Sequence, residues 1–253
     1  MPRRRYDQYC PIAQALDTLG ERWALLIVRE LLAGPRRYTD LHADLPGVST
    51  DVLASRLKEL ETDGLVSRRR LASPANAQVY ELTARGRAVL PVLTALAEWG
   101  GPLLDEPKPT DAVRAHWYAL PLLRHFLPRR APARATTSNV EVRVEEGVFH
   151  LDLDPDRPGY QDGPAEGPGA QLTLDPASAV ALVQGRTGLR DALATGGARL
   201  SGATLAEVAP TSEVAPTSEV APTSEVASTS EVVPTSDGAP AADGQDTWRS
   251  LSS

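Results

Sequence analysis

TDLHADLPGVSTDVLASRLKELETDGLVSRRRLASPANAQVYELT, residues 39–83, holds two apolar periods in succession. Its first part is helical. Thr39 can cap a short helix DLHADL whose Leu41 and Leu45 stand four apart, and Pro46-Gly47 forces a turn. Ser49 is a suitable N-cap for the next helix, in which Leu53, Leu57 and Leu60 form one seam. At 100° per residue that seam leaves Asp51, Ser55 and Lys58 on the opposite side and Thr50 and Ala54 on the adjoining flank; Gly64 ends the helix. Leu65–Leu71 and Gln78–Thr83 then read as strands joined by the turn residues SPAN, a β-hairpin whose first arm carries Arg68, Arg69 and Arg70. Two short helices across a tight turn, the second with a small and polar outer face, followed by a basic hairpin, make the pattern of a winged helix-turn-helix.

Working outward, Pro11–Leu19 places Ile12, Ala15, Leu16 and Leu19 at helical spacing, with Gly20 after them. ERWALLIVRELLAG puts Trp23, Leu26, Ile27 and Leu31 on one stripe, leaves Arg22, Arg29 and Glu30 for the rim, and closes at Gly34-Pro35. Beyond the hairpin Thr83 can cap a last helix with a broad apolar face of Val89, Leu90, Val92, Leu93, Leu96 and Trp99. Pro91 should kink that helix or displace its start. The broad face packs either on a second subunit or back on the first helix.

The net charge of -7 conceals an asymmetry: residues 1–135 hold 20 Lys and Arg against 15 Asp and Glu, and the remainder 6 against 18. A polyanion is therefore met by the first half. No run of about eighteen uncharged apolar residues occurs, and the start MPRRRYDQYC leads into amphipathic sequence, so neither a membrane span nor a secretion signal is expected. One cysteine and four scattered histidines give no disulfide within the chain and no metal-ligand spacing, and point to a reducing, cytoplasmic setting without a cofactor. No nucleophile, acid and base converge in a known motif, so an enzyme is not expected.

CPIAQALDTLGERWALLIVRELLAGPRRYTDL, LPGVSTDVLASRLKELETDGLVSRR, YELTARGRAVLPVL and EWG together resemble the HxlR family of winged-helix regulators over residues 1–104. The resemblance implies a transcriptional repressor or activator that binds double-stranded DNA as a homodimer through its terminal helices, each subunit with its recognition helix in a major groove. By it, Ser49, Thr50, Asp51, Ala54, Ser55 and Lys58 lie nearest base edges, while Arg36, Arg37, Arg56, Arg68, Arg69 and Arg70 contact phosphates. Asp51 would accept from a cytosine amino group or serve only the helix N-terminus. Cys10 precedes Pro11 at a helix start near Arg3, Arg4 and Arg5, surroundings that favour a thiolate. The family resemblance allows it to sense oxidants or electrophiles; the other reading is a small buried hydrophobe.

Residues 105–115, opening DEPKPT, read as a stiff linker. From 116 to 206 the pattern is mixed, which makes the chain α+β. HWYALPLLRHFL is an apolar helix, VEVRVEEGVFHLDLD a hairpin about Glu146-Gly147, Pro155–Gly169 a long exposed loop, AQLTLD a strand, ASAVALVQG a helix, and LRDALATGGARLSG a helix, turn and strand. That order is similar to the sterol carrier protein 2 fold, a small α/β domain whose resemblance implies a small hydrophobic effector, with Val180, Leu182, Val183 and Leu189 lining a pocket or filling a core. A lipid-binding or carrier protein with an accessory winged helix is the competing functional reading. Residues 207–253 repeat the hexad EVAPTS with small variations, too proline-rich and apolar-poor to pack, and are expected to be a disordered tail.

Overall fold

The computed structural model describes residues 5–72, 76–106, 108–126, 139–154 and 157–208. The first part contains α1 (Pro11–Leu19), α2 (Ala24–Leu32), α3 (Tyr38–Asp44), α4 (Thr50–Thr62), β1 (Val66–Arg70), β2 (Gln78–Leu82), α5 (Ala84–Arg87) and α6 (Leu90–Gly100). Leu41, Leu45, Leu53, Leu57 and Leu60 are buried against Ile27, Val28 and Leu31 of α2, so the seam expected along α4 is the core of the helix-turn-helix. Gly64 stops α4 with φ of 71°, the left-handed conformation that only glycine adopts at no steric cost. β1 and β2 pair antiparallel with Arg68 opposite Tyr80. Arg36 adds a third, single-residue rung on the far side of β2: its amide donates to Tyr80 O at 3.0 Å and its carbonyl accepts from the Tyr80 amide at 2.8 Å.

Several boundaries differ from the sequence reading. α3 starts at Tyr38, two residues earlier than a Thr39 cap implies, because the Asp40 carboxylate accepts from the Arg37 amide at 3.2 Å and closes the helix start from inside. Trp23 is not on a helical stripe; it precedes α2 in a left-handed conformation, with Arg22 stacked 5.2 Å from its ring. Pro91 displaces the start of the last helix, lying in the first turn of α6, where its missing N–H costs nothing. On α1 only Ala13 is buried: of the apolar set, Leu19 packs against the core, while Ile12 is 69% exposed and Leu16 is exposed too.

The second part contains a 3-10 turn at Ala115–Tyr118, then α7 (Ala119–Phe126), β3 (Asn139–Val144), β4 (Gly147–Asp152), β5 (Gly159–Asp162), β6 (Ala170–Leu174), α8 (Pro176–Val183), α9 (Leu189–Ala194), β7 (Ala198–Ser201) and α10 (Leu205–Val208). The sheet order is β5-β4-β3-β6-β7, antiparallel except for the parallel pair β3 and β6. Val140, Val142, Phe149, Leu151 and Leu172 are buried on one face, with α7 against β4 and α8 against α7. The stretch Pro155–Gly169 is not all loop, since β5 lies within it and buries Tyr160. Of the candidate pocket residues, Leu182 and Leu189 are fully buried core, while Val180 and Val183 are half-buried. Glu207 and Val208 end α10 rather than open a tail; residues 209–253 lie outside the described residues.

The two parts are joined by a buried polar cluster. Glu30, expected on the rim, is 0% exposed. Its carboxylate accepts from Arg29 Nε at 2.8 Å and Trp117 Nε1 at 2.8 Å, and meets His116 Nε2 at 2.6 Å. The Trp117 ring lies 4.2 Å from the Arg29 guanidinium. From the sheet, the Tyr160 hydroxyl donates to Arg29 O at 2.8 Å and the Asp162 amide to Ala33 O at 3.2 Å. Arg114 closes the far side, donating to Asp44 at 2.9 Å and to Ala43 O at 3.1 Å. At Gly101 the apposition leaves no room for a side chain, because a Cβ there would stand 2.5 Å from Val183 O. Within 105–115, Asp105, Glu106 and Lys108 to Asp111 are exposed, and Arg114 then fastens the chain to α3.

Candidate nucleic-acid interface

The outer face of α4 is built by what its inner face does. With Leu53, Leu57 and Leu60 pinned in the core, Ser49, Thr50, Asp51, Ala54, Ser55 and Lys58 are all exposed along one side. Ser49 caps the helix, its hydroxyl accepting from the Val52 amide at 3.4 Å. The α4 N-terminus is also tied to α3, because the Tyr38 hydroxyl donates to Thr50 O at 2.7 Å while its ring stacks on His42. Val52 lies exposed beside this set and escapes a polar-residue search; an apolar contact to a thymine methyl is the chemistry it offers.

The arginines fall into two groups. Arg37, Arg68, Arg69 and Arg70 are exposed. On the hairpin each has a local partner: Arg68 is bidentate to Glu61 at 2.9 and 2.5 Å, Arg69 donates to Glu81 at 2.9 Å, and Arg70 to Asn76 at 2.9 Å. The Arg68 hydrogen bond and charge hold the Glu61 carboxyl below the usual carboxylate range. Exposed pairs of this kind are screened by water and contribute little, so a phosphate can displace the acid at little cost. Arg56 and Arg36 are half-buried. Arg56 pairs with Glu59 on its own helix and with Glu21 at 3.3 Å. Arg36 is 16% exposed at the side chain and donates to Asp162 at 3.1 Å. Both are engaged by acids of the fold, as Arg68 and Arg69 are on the hairpin.

Cys10 stands at the N-cap position of α1, half-buried, with Pro11 in the first turn. Of the three arginines expected near it, Arg3 and Arg4 lie outside the described residues, and Arg5 is turned to Asp17, 3.9 Å away. Among the described residues no group of three His, Cys, Asp or Glu side chains is placed to hold a metal ion, and no helix is long and apolar enough to cross a membrane.

Residues 18–108 match the family model described as HxlR-like helix-turn-helix. An uncharacterised HTH-type transcriptional regulator of Synechocystis is 41% identical over 97 residues, covering 38% of this chain and 72% of that protein. The HTH-type regulator YvaP of Bacillus subtilis is 38% identical over 100 residues, covering 39% and 93%. Its YodB is 36% identical over 91 residues, covering 36% and 81%. Among solved structures, the reduced form of YodB aligns with a TM-score of 0.35 at 32% identity, over 40% of this chain and all of that one. The sequence match falls on the same residues that build the exposed helix and the basic hairpin, and the chain belongs to the HxlR-like helix-turn-helix family of transcriptional regulators.

Proposed function

We propose that the protein binds operator DNA as a homodimer, with α4 in the major groove and the β1–β2 hairpin on the flanking backbone. The observation that carries this is the exposure of the whole polar side of α4 beside four exposed arginines. Ser49, Thr50, Asp51, Val52, Ala54, Ser55 and Lys58 read base edges; Arg37, Arg68, Arg69 and Arg70 neutralise phosphates. Pairing through α1 and α6 is favoured by their outward apolar side chains: Ile12, Leu16, Val92 and Leu96 are exposed and Trp99 is 72% so, more than a monomer leaves to water without a reason. Two symmetric recognition helices then meet half-sites about 34 Å apart. DNase footprinting of the purified protein on the DNA upstream of its own gene tests this. The expected result is a protected site with two-fold symmetry, whose affinity falls steeply with salt; protection without sequence preference at any salt contradicts it.

The regulator answers an oxidant or electrophile through Cys10. YodB has been crystallised quinone-bound and diamide-treated as well as reduced, and Cys10 is the one thiol of this chain, half-buried at the foot of α1. Treatment with benzoquinone is expected to lower operator affinity at least fivefold in the wild type and to leave Cys10→Ser unchanged. Alkylation of native Cys10 no faster than a model thiol, with unaltered DNA binding, contradicts this. The second half is read as a sterol carrier protein 2-like effector domain. Its order of one helix, a three-strand meander, a returning strand, two helices and a last strand supports that reading; of the four residues expected to line a pocket only Val180 borders the open groove of about 640 Å³, beside Ala181, Arg186, Ala192 and Thr195. A small amphipathic molecule suits this mixed lining better than a wholly apolar one.

A further inference from the structure

Arg36 is the point at which the second half of the chain touches the DNA-binding half nearest its hairpin. Its backbone is hydrogen-bonded both ways to Tyr80, so it is effectively the outer rung of the wing sheet. Its guanidinium reaches away from the hairpin to Asp162 Oδ2, at 3.1 Å, on the last residue of β5. The other oxygen of that carboxylate lies 3.6 Å from Nδ1 of His116, whose Nε2 is 2.6 Å from buried Glu30, which in turn is held by Arg29. The side chains run Arg29, Glu30, His116, Asp162, Arg36, with acid and base alternating about a central imidazole. The Asp162 backbone is anchored as well, through its amide on Ala33 O.

We propose that Asp162 is a positioning residue for DNA binding: the second half of the chain fixes the wing by gripping Arg36 at the edge of its sheet. This rests on the reading that the hairpin grips DNA, but the grip itself is independent of it. A hairpin of two short strands is marginal alone, and one edge rung held by a half-shielded ion pair narrows the range of angles it samples. A wing fixed in advance loses less freedom on binding and so binds more tightly. Whatever displaces β5 from α2, an effector in the second half included, is then felt at the wing without touching it.

The test is made on the full chain. Asp162 is exposed enough for Asp162→Asn to fold, and asparagine keeps the amide bond to Ala33 while losing the charge. Amide exchange at Arg36 and Tyr80 is expected to speed at least tenfold in Asp162→Asn, with Leu57 and Leu60 unchanged, a local effect that general destabilisation would not confine. Operator affinity is expected to fall about fivefold. In an Arg36→Gln background Asp162→Asn should add nothing, since the two act as one unit. Unchanged exchange at Arg36 and Tyr80 overturns the proposal whether or not the wild type binds DNA. Tighter operator binding by Asp162→Asn also overturns it, because Asp162 would then be competing with phosphate for Arg36; so does a loss that adds to that of Arg36→Gln. A wild type that binds no duplex, yet shows the faster exchange in the variant, keeps the grip and removes the DNA reading instead.

Discussion

Glu30→Ala is expected to destabilise the protein by about 3–5 kcal/mol, the cost typical of removing one partner from a buried charged set. The loss leaves His116 and the Trp117 indole N–H without their acceptor and a guanidinium at half-shielded Arg29 without its nearest counter-charge. For a folded unit of this size it corresponds to roughly 6–20 °C in thermal midpoint. The pH dependence follows from the same residue. Burial pushes its carboxyl upward, but the His116 hydrogen bond, with the charges of Arg29 and His116, outweighs burial and leaves it below the usual range. A group lowered on folding stabilises above its unfolded value and loses that contribution as pH falls through its folded value. Denaturant midpoints between pH 7 and pH 3 should therefore decline for the wild type, and less for Glu30→Gln. A cost below about 1 kcal/mol for Glu30→Ala would mean that water replaces the carboxylate and that the two parts are not coupled through it.

Arg68→Ala combined with Arg69→Ala should leave stability nearly unchanged and cripple DNA binding. The paired acids Glu61 and Glu81 are partly exposed and both arginines stand in solvent, so losing the two ion pairs costs the fold little. Each phosphate contact releases about 0.9 counterion, so the slope of log affinity against log salt should flatten by about 1.8. At near-physiological salt the loss should exceed tenfold and be uniform across operator sequences, since phosphate contacts carry no base information. Glu61→Gln, which frees Arg68 of its competitor, should move affinity the other way. Fluorescence anisotropy over a salt series measures all three proteins; an unchanged slope in the double variant would remove the hairpin from the interface.

The helix-turn-helix was legible because its residues signal locally. The leucine seam of α4, the Ser49 cap and the glycine at 64 each have one physical meaning, and together they fix which side chains face outward. Glu30 was not legible for the opposite reason. Between Arg29 and Leu31 it looks like a rim charge, and it is buried only because His116 and Trp117 arrive from more than eighty residues along the chain. The partners of Arg36 and Arg56 were not legible either: Asp162 and Glu21 are brought to them only by the tertiary fold. β5 escaped because four residues between glycines and prolines carry no period, and only its pairing with β4 makes it a strand. On α1 the apolar spacing was visible but its direction was not, since period alone does not say whether a face meets its own core or another subunit.

The most direct test of α4 as the reading head is selection of preferred sites from randomised duplexes by the wild type, Lys58→Ala, and the Arg68→Ala, Arg69→Ala double variant. Lys58→Ala should lose discrimination at one base step in each half-site and keep the rest, while the double variant should select the wild-type sequence at lower affinity. If Lys58→Ala selects the unaltered sequence and the wing variant selects a different one, base recognition belongs to the hairpin and not to α4.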